Sequence, residues 1–239
     1  MPFETTEVTP ARIYLQPVAA PSILGLYGFA GATFMVAAHM AGWYGGPDTI
    51  LYLAPFAAIF GGLAQFLAGM WAFKARDGLA TAMHGLWGSF WIAFGILALG
   101  FARGGAALPG GMFPALGYWF LVAAAITWIG AWAALAENVS LFLVLTFLAL
   151  GSTLEAIARL SGSMGALNMA AGYAFIISAL LAYYTASALM LAECFGHTVL
   201  GLGNRRRGLE APVISLGAGE PGVIRGQNLN LEPNAGVTR

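Results

Sequence analysis

The chain has 239 residues, of which 59% are hydrophobic and only 8% charged. A soluble domain carries roughly 25% charged residues, so this composition excludes an ordinary soluble globule and points to a surface that faces lipid. Lys plus Arg and Asp plus Glu number 10 each, and the zero net charge removes any general attraction to nucleic acid.

The N-terminal stretch from Met1 to Pro17 holds Glu4 and Glu7. It lacks the basic region and short apolar run of a cleaved signal peptide, so the first helix is expected to remain in the mature protein. Six stretches then reach the length of about 20 apolar residues that crosses a hydrocarbon core of about 30 Å. The first is Ile23–Trp43, closed by Gly45-Gly46-Pro47-Asp48, with Asp48 or Thr49 as cap for the second. The second, Ile50–Phe73, ends at Lys74-Ala75-Arg76-Asp77-Gly78. The third, Leu79–Phe101, is followed by Leu108-Pro109-Gly110-Gly111. The fourth, Phe113–Leu135, meets the fifth, Val139–Ile157, across the tight connection Glu137-Asn138. Ser161-Gly162-Ser163 precedes the sixth, Met169–Leu191. The runs are too long for strands and lack the alternation of an outer-membrane barrel. The expected fold is all-α: a polytopic bundle over residues 21–203, a cytoplasmic N-terminal segment over 1–20 and a flexible cytoplasmic tail over 204–239.

Cationic loop residues set the expected orientation. Arg12, Lys74, Arg76 and Arg205-Arg206-Arg207 fall on the side shared by both termini, against Arg103 and Arg159 on the other. Both termini are therefore expected in the cytoplasm, across an inner (plasma) membrane. The triple arginine reads as an anchor at anionic headgroups. Gly25, Gly28 and Gly31 share one side of the first helix, and Gly61, Gly62 and Gly69 punctuate the second. Small residues let membrane helices approach closely, so tight packing is the first reading of both sets.

Four segments resemble the acetate uptake transporter family, also called the succinate–acetate permeases. They are Ala20-Pro21-Ser22-Ile23-Leu24-Gly25-Leu26-Tyr27-Gly28-Phe29, then Phe60-Gly61-Gly62-Leu63-Ala64-Gln65-Phe66-Leu67-Ala68-Gly69. Gly88-Ser89-Phe90-Trp91 and Glu193-Cys194-Phe195-Gly196-His197-Thr198-Val199-Leu200 complete the set. They occur in the family's order and cover roughly residues 18–203. The resemblance implies six helices per protomer, a homohexameric ring and a separate pore through each protomer. It also implies a constriction of Phe29, Leu145 and, where the family carries Tyr, Trp87. Other departures are Ala20 for the signature asparagine, Ile23 for its second proline, and Ala37 and Met40 where relatives often carry asparagine. These losses detach the choice of substrate from the family match.

Helix geometry offers an independent check. At about 1.5 Å per residue, Phe29 and Leu145 lie roughly 9 Å into their helices and Trp87 roughly 12 Å. All three helices start on the same side, so the three side chains reach one depth. Gln65, on a helix running the other way, reaches it too. Bulky apolar residues at one depth equally describe an ordinary bundle core.

Polar side chains inside spans mark pathways. Gln65 can donate and accept, as a carboxylic acid requires, and an interhelical hydrogen bond is the alternative. Thr33, Ser89 and Tyr184 are further candidates. Glu155, roughly 24 Å along its helix, is spaced for an ion pair with Arg159. It reads either as an interfacial salt bridge or as a substrate- or proton-handling site at the outer mouth. His39, His84 and His197 lack the paired spacing of a metal site, and each reads as a satisfied polar residue. No cofactor, metal or catalytic constellation is expected, so the chain is not read as an enzyme.

The expected function is passage of acetate and similar short monocarboxylates, as a channel or with protons. Protonating an acid of pKa about 4–5 at pH 7 costs only about 3 kcal/mol, far less than drying an anion. Trp87 is bulkier than Tyr and should favour one- to three-carbon acids over dicarboxylates. Alternatives are a channel for an amide, ammonia or a hydroxy acid, a haem protein using the histidines, or a non-transporting subunit. Expected partners are the small carboxylate, protons, membrane lipid and further copies of the chain in a hexamer, with no nucleic acid.

Overall fold

The computed structural model of the protein describes residues 18–46, 48–103 and 114–203. Six helices there are long and apolar enough to cross a membrane, and the protein is a multi-pass membrane protein. They are α1 (Pro21–Met40), α2 (Thr49–Ala75), α3 (Gly78–Arg103), α4 (Pro114–Ala134), α5 (Val139–Ser161) and α6 (Met164–Phe195). The expected break at Leu108–Gly111, the start of the fourth span at Phe113, Arg12, the triple arginine and the tail beyond 203 lie outside the described residues.

The turns explain where each helix begins. Pro21 opens α1, where its missing N–H costs nothing. Asp48 stands at the N-cap of α2, but its side chain makes no capping bond. Thr49 instead accepts from the Gly46 N–H at 2.7 Å, so neither residue caps α2 as expected. Asp77 accepts from the Ala80 N–H at 2.8 Å to cap α3. Asn138 accepts from the Leu141 N–H at 2.8 Å and caps α5, which makes so tight a connection workable. Gly162, at φ 73°, ends α5. Helix α6 starts five residues before its expected Met169 and runs to Phe195, closed by Gly196 at φ 71°. Its 32 residues span about 48 Å, longer than the hydrocarbon core. Beyond Gly196 the chain folds back, and the Val139 and Ser140 N–H groups donate to the Gly203 and Leu202 carbonyls.

Helix α2 is not uniform. Pro55 removes one backbone donor, and Ala57–Ala64 then winds as a π-helix before α-geometry resumes at Gln65. Membrane helices tolerate such adjustments where neighbours re-satisfy the backbone. The π segment carries Gly61 and Gly62, which seat the Trp91 ring and Ile92 of α3.

The helices form a ring in sequence order. Each packs on its neighbours, α1 closes on α6, and the α3–α4 seam is the sparsest. Two backbone approaches require glycine. Gly28 of α1 abuts the Phe60 carbonyl, and a Cβ on Gly69 would stand 2.8 Å from the Gly85 nitrogen. Gly31 has nothing within 4 Å and is exposed, so it does not join Gly25 and Gly28 in the packing. The outward faces of α2, α4 and α6 are apolar, with Tyr52, Phe60, Ile129, Trp132 and Leu180 all exposed.

Gly69→Leu should therefore destabilise the protomer by about 1–3 kcal/mol through overpacking. Gly31→Ala should be neutral or slightly stabilising through helix propensity. Thermal unfolding in detergent compares the two.

Candidate functional site: two cavities and an apolar collar

The helical period produces a continuous inward stripe on each odd-numbered helix. On α1 it runs Leu26, Phe29, Thr33, Val36 and Met40. On α3 it runs His84, Trp87, Trp91 and Phe94. On α5 it runs Leu141, Leu145, Leu148, Glu155 and Arg159. Spacings of three and four residues, and of seven from Leu148 to Glu155, keep one face toward one axis, and every one of these side chains lines one of two cavities.

The near cavity, about 290 Å³, opens by the N-terminus of α1 and includes Leu26, Phe29, Gln65, His84 and Leu145 in its lining. The far cavity, about 450 Å³, is lined by Thr33, Ser89, Trp91, Trp119, Glu155 and Arg159 among others. Among the described residues only Trp87 and Leu148 line both. They are the partition, with Phe29 and Leu145 beside them on the near side. All four are at most 4% exposed. Phe29, Trp87 and Leu145 all belong to the buried core and line the near cavity, as does Leu148, one turn beyond Leu145. The i,i+3 spacing was the sequence clue to Leu148.

Trp87 is held from behind. Its indole N–H donates to Thr127 Oγ1 at 3.2 Å, and Thr127 donates to the Ala123 carbonyl at 2.6 Å. The one donor that Trp offers in place of a Tyr hydroxyl is therefore occupied by α4. Phe90 packs edge-on against the indole at 5.5 Å. What the collar presents to a solute is hydrocarbon and ring face.

Polar atoms lie on both sides of it. In the near cavity Gln65 Oε1 and His84 Nδ1 are buried without a protein partner. His84, whose ring nests against Gly25, is thus not the satisfied histidine expected. His39 and His197 each bond a backbone carbonyl. In the far cavity Thr33 Oγ1, Trp91 Nε1, Trp119 Nε1 and Glu155 Oε2 are buried and unpartnered. Buried polar atoms are rarely left so, and here they belong to residues that line the two cavities. The two indoles were missed as polar groups in the sequence because tryptophan reads first as packing. Ser89 lines the far cavity but donates to the Gly85 carbonyl. Tyr184 lines neither cavity and donates to the Gly201 carbonyl at 2.8 Å. It holds the folded-back segment after α6 and does not sit on the axis. The expected ion pair forms, with Arg159 Nη2 2.6 Å from Glu155 Oε1. Glu155 is fully buried, so the pair lies inside the far cavity and not on an exposed interface. No cluster of three or more His, Cys, Asp or Glu suited to a metal occurs among the described residues.

Residues 4–199 match the sequence pattern of the GPR1/FUN34/yaaH family. The chain belongs to this family. It is 28% identical to the succinate-acetate/proton symporter SatP of Escherichia coli (strain K12) over 186 residues, 78% of this chain and 96% of that one. It is 29% identical to ammonia transport outward protein 2 of Saccharomyces cerevisiae, over 71% of this chain and 61% of the yeast protein. Its fold is similar to the solved structure of the bacterial acetate channel SatP, with a TM-score of 0.70 and 27% identity, covering 78% of this chain and all of that one.

A family member with two cavities meeting at a collar makes an accessibility prediction. With Cys194 replaced by Ala, Leu26→Cys should react with a small charged thiol reagent from one membrane face only, and Val36→Cys from the other only. Leu145→Cys, which lines the same cavity as Leu26, should react only from the face that reaches Leu26→Cys. Reaction of Leu26→Cys or Val36→Cys from both faces would show the collar to be wet.

Proposed function

We propose that the protein carries acetate and similar short monocarboxylic acids across the membrane, through the two cavities and the Phe29–Trp87–Leu145–Leu148 collar of each protomer. The observation that carries this reading is the partition itself: two polar-edged cavities separated only by apolar side chains. Such a barrier selects against charge. An unpaired anion in a dry site costs many kcal/mol, whereas protonating the acid at pH 7 costs about 3 kcal/mol. The solute therefore crosses as the neutral acid, with one proton for each carboxylate. Membership of a family that includes a succinate-acetate/proton symporter supports the same reading.

Gln65 and His84 meet the acid on the near side. The Gln65 amide offers a donor to the carbonyl oxygen and an acceptor to the hydroxyl. The cationic balance of the loops supports cytoplasmic termini, which makes the near cavity the cytoplasmic vestibule and the far cavity the outer one. The apolar outward faces of α2, α4 and α6 suit lipid and neighbouring copies in a hexamer, within the inner membrane. The N-terminal 1–20 and the segment 204–239 are assigned to the cytoplasm on the same balance. The chemistry is transport without bond-breaking in the solute. Ammonia is the second reading, because a dry collar that rejects ions also admits a small neutral base, and a yeast relative is named for ammonia transport.

Labelled acetate uptake into proteoliposomes tests this. Uptake should rise with an inward proton gradient and fall when an ionophore collapses it. Trp87→Ala should join the two cavities and admit succinate, which the wild type carries more slowly than acetate. Uptake that follows total acetate and ignores the proton gradient, or faster succinate than acetate flux in the wild type, would refute the neutral-acid route or the narrow collar respectively.

A further inference from the structure

The transport reading leaves open where an incoming anion acquires its proton. The far cavity holds a fully buried acid, Glu155, with an unusual bonding pattern. Arg159 directs both its Nε, at 2.7 Å, and its Nη2, at 2.6 Å, to the same oxygen, Oε1. An arginine that merely pins a carboxylate commonly spreads its two N–H groups over both oxygens. Here Oε2 has no protein partner and sits in a residue that lines the cavity. Three residues from three other helices that line the same cavity carry buried donors without a protein partner: the Thr33 hydroxyl of α1, the Trp91 indole of α3 and the Trp119 indole of α4. Arg159 also lines it, its side chain 17% exposed, and Gly117 of α4 leaves room for the Arg159 Cβ.

This set matches a carboxylate with a proton beside it. Three neutral donors and a guanidinium suit a solute anion, and they outnumber what Glu155 itself uses. When a second carboxylate enters, two anions share one cation. One negative charge is then uncompensated in a poorly solvated cavity, and a single added proton removes it. Facing Glu155 across the cavity, α1 presents Thr33, α3 Trp91, α4 Trp119 and α6 Phe175. None of these carries charge at neutral pH. Arg159 is the only other charged group among the described residues that line this space, so the proton has one acceptor to go to.

We propose that Glu155 is the proton-loading residue and Arg159 the anion-docking residue of the far cavity, an assignment that rests on the transport reading above. Glu155 Oε2 takes a proton from external water as the solute carboxylate docks on Arg159 and the indole N–H groups. The proton then passes from Oε2 to the solute. The O–H bond on Glu155 breaks, one forms on the solute, and Glu155 returns to its carboxylate paired with Arg159. One anion and one proton have left the outside, one neutral acid stands at the collar, and the cavity has its starting charge.

The experiment compares wild type, Glu155→Gln and Glu155→Asp in proteoliposomes across external pH. The concentration of preformed neutral acid falls about tenfold per pH unit above the acid's pKa. Wild-type and Glu155→Asp uptake should fall clearly less steeply than that, because the site accepts the anion and supplies the proton. Glu155→Gln, which cannot, should follow the tenfold decline. A second readout needs no variant to fold: the infrared difference spectrum on adding ¹³C-labelled acetate. Wild type should gain an unlabelled carboxylic-acid band from Glu155, separated by isotope shift from any band of the solute. A Glu155→Gln profile equal to wild type, or a wild-type spectrum without the unlabelled band, overturns the assignment while acetate uptake still stands. A wild type that carries no acetate at all overturns both.

Discussion

The structure depends on one constraint: charge cannot rest in a dry apolar ring. Phe29, Trp87, Leu145 and Leu148, the proposed collar, are buried side chains without a free polar atom, since the indole N–H of Trp87 is spent on Thr127. The buried polar atoms without a partner belong to residues on either side. Gln65 and His84 gather below the collar, and Thr33, Trp91, Trp119 and the Glu155–Arg159 pair gather above it. On the proposed reading, the polar groups are useful because the collar makes the solute shed its charge between them.

Close packing of the helices makes the collar tight. Gly28 and Gly69 bring α1 and α3 onto α2 at distances that no side chain permits. The π segment of α2 places Gly61 and Gly62 under Trp91 and Ile92. In lipid, where the hydrophobic effect does not drive helices together, close van der Waals contact has to do so. The same contacts set the depth of Trp87 and Trp91 on α3.

Much of the architecture was legible along the chain. Six apolar runs separated by Gly, Pro and charged residues fix six spans, because a lipid core demands a minimum length and a satisfied backbone. The resemblance named Phe29, Trp87 and Leu145, and rise per residue with shared direction put them at one depth. The Glu155–Arg159 pair followed from i,i+4 spacing. Tyr184 was misplaced because an aromatic hydroxyl within a span gives no hint of which way it turns. Its partner, the Gly201 carbonyl, belongs to a segment that folds back only in three dimensions. His84 was read as satisfied because its nitrogens can find partners almost anywhere, and only the packed neighbours reveal that one has none.

The sequence by itself determined the helix count and that each span is long enough to cross, since these depend on the composition of single segments. The tertiary structure decided what the stripes enclose. That Trp87 and Leu148 separate two cavities, that the indoles of Trp91 and Trp119 are unspent while that of Trp87 is not, and that Glu155 is wholly buried are relations between side chains on different helices. No local pattern encodes them, because the partner that satisfies or abandons a polar atom lies tens of residues away in the chain and a few ångströms away in space.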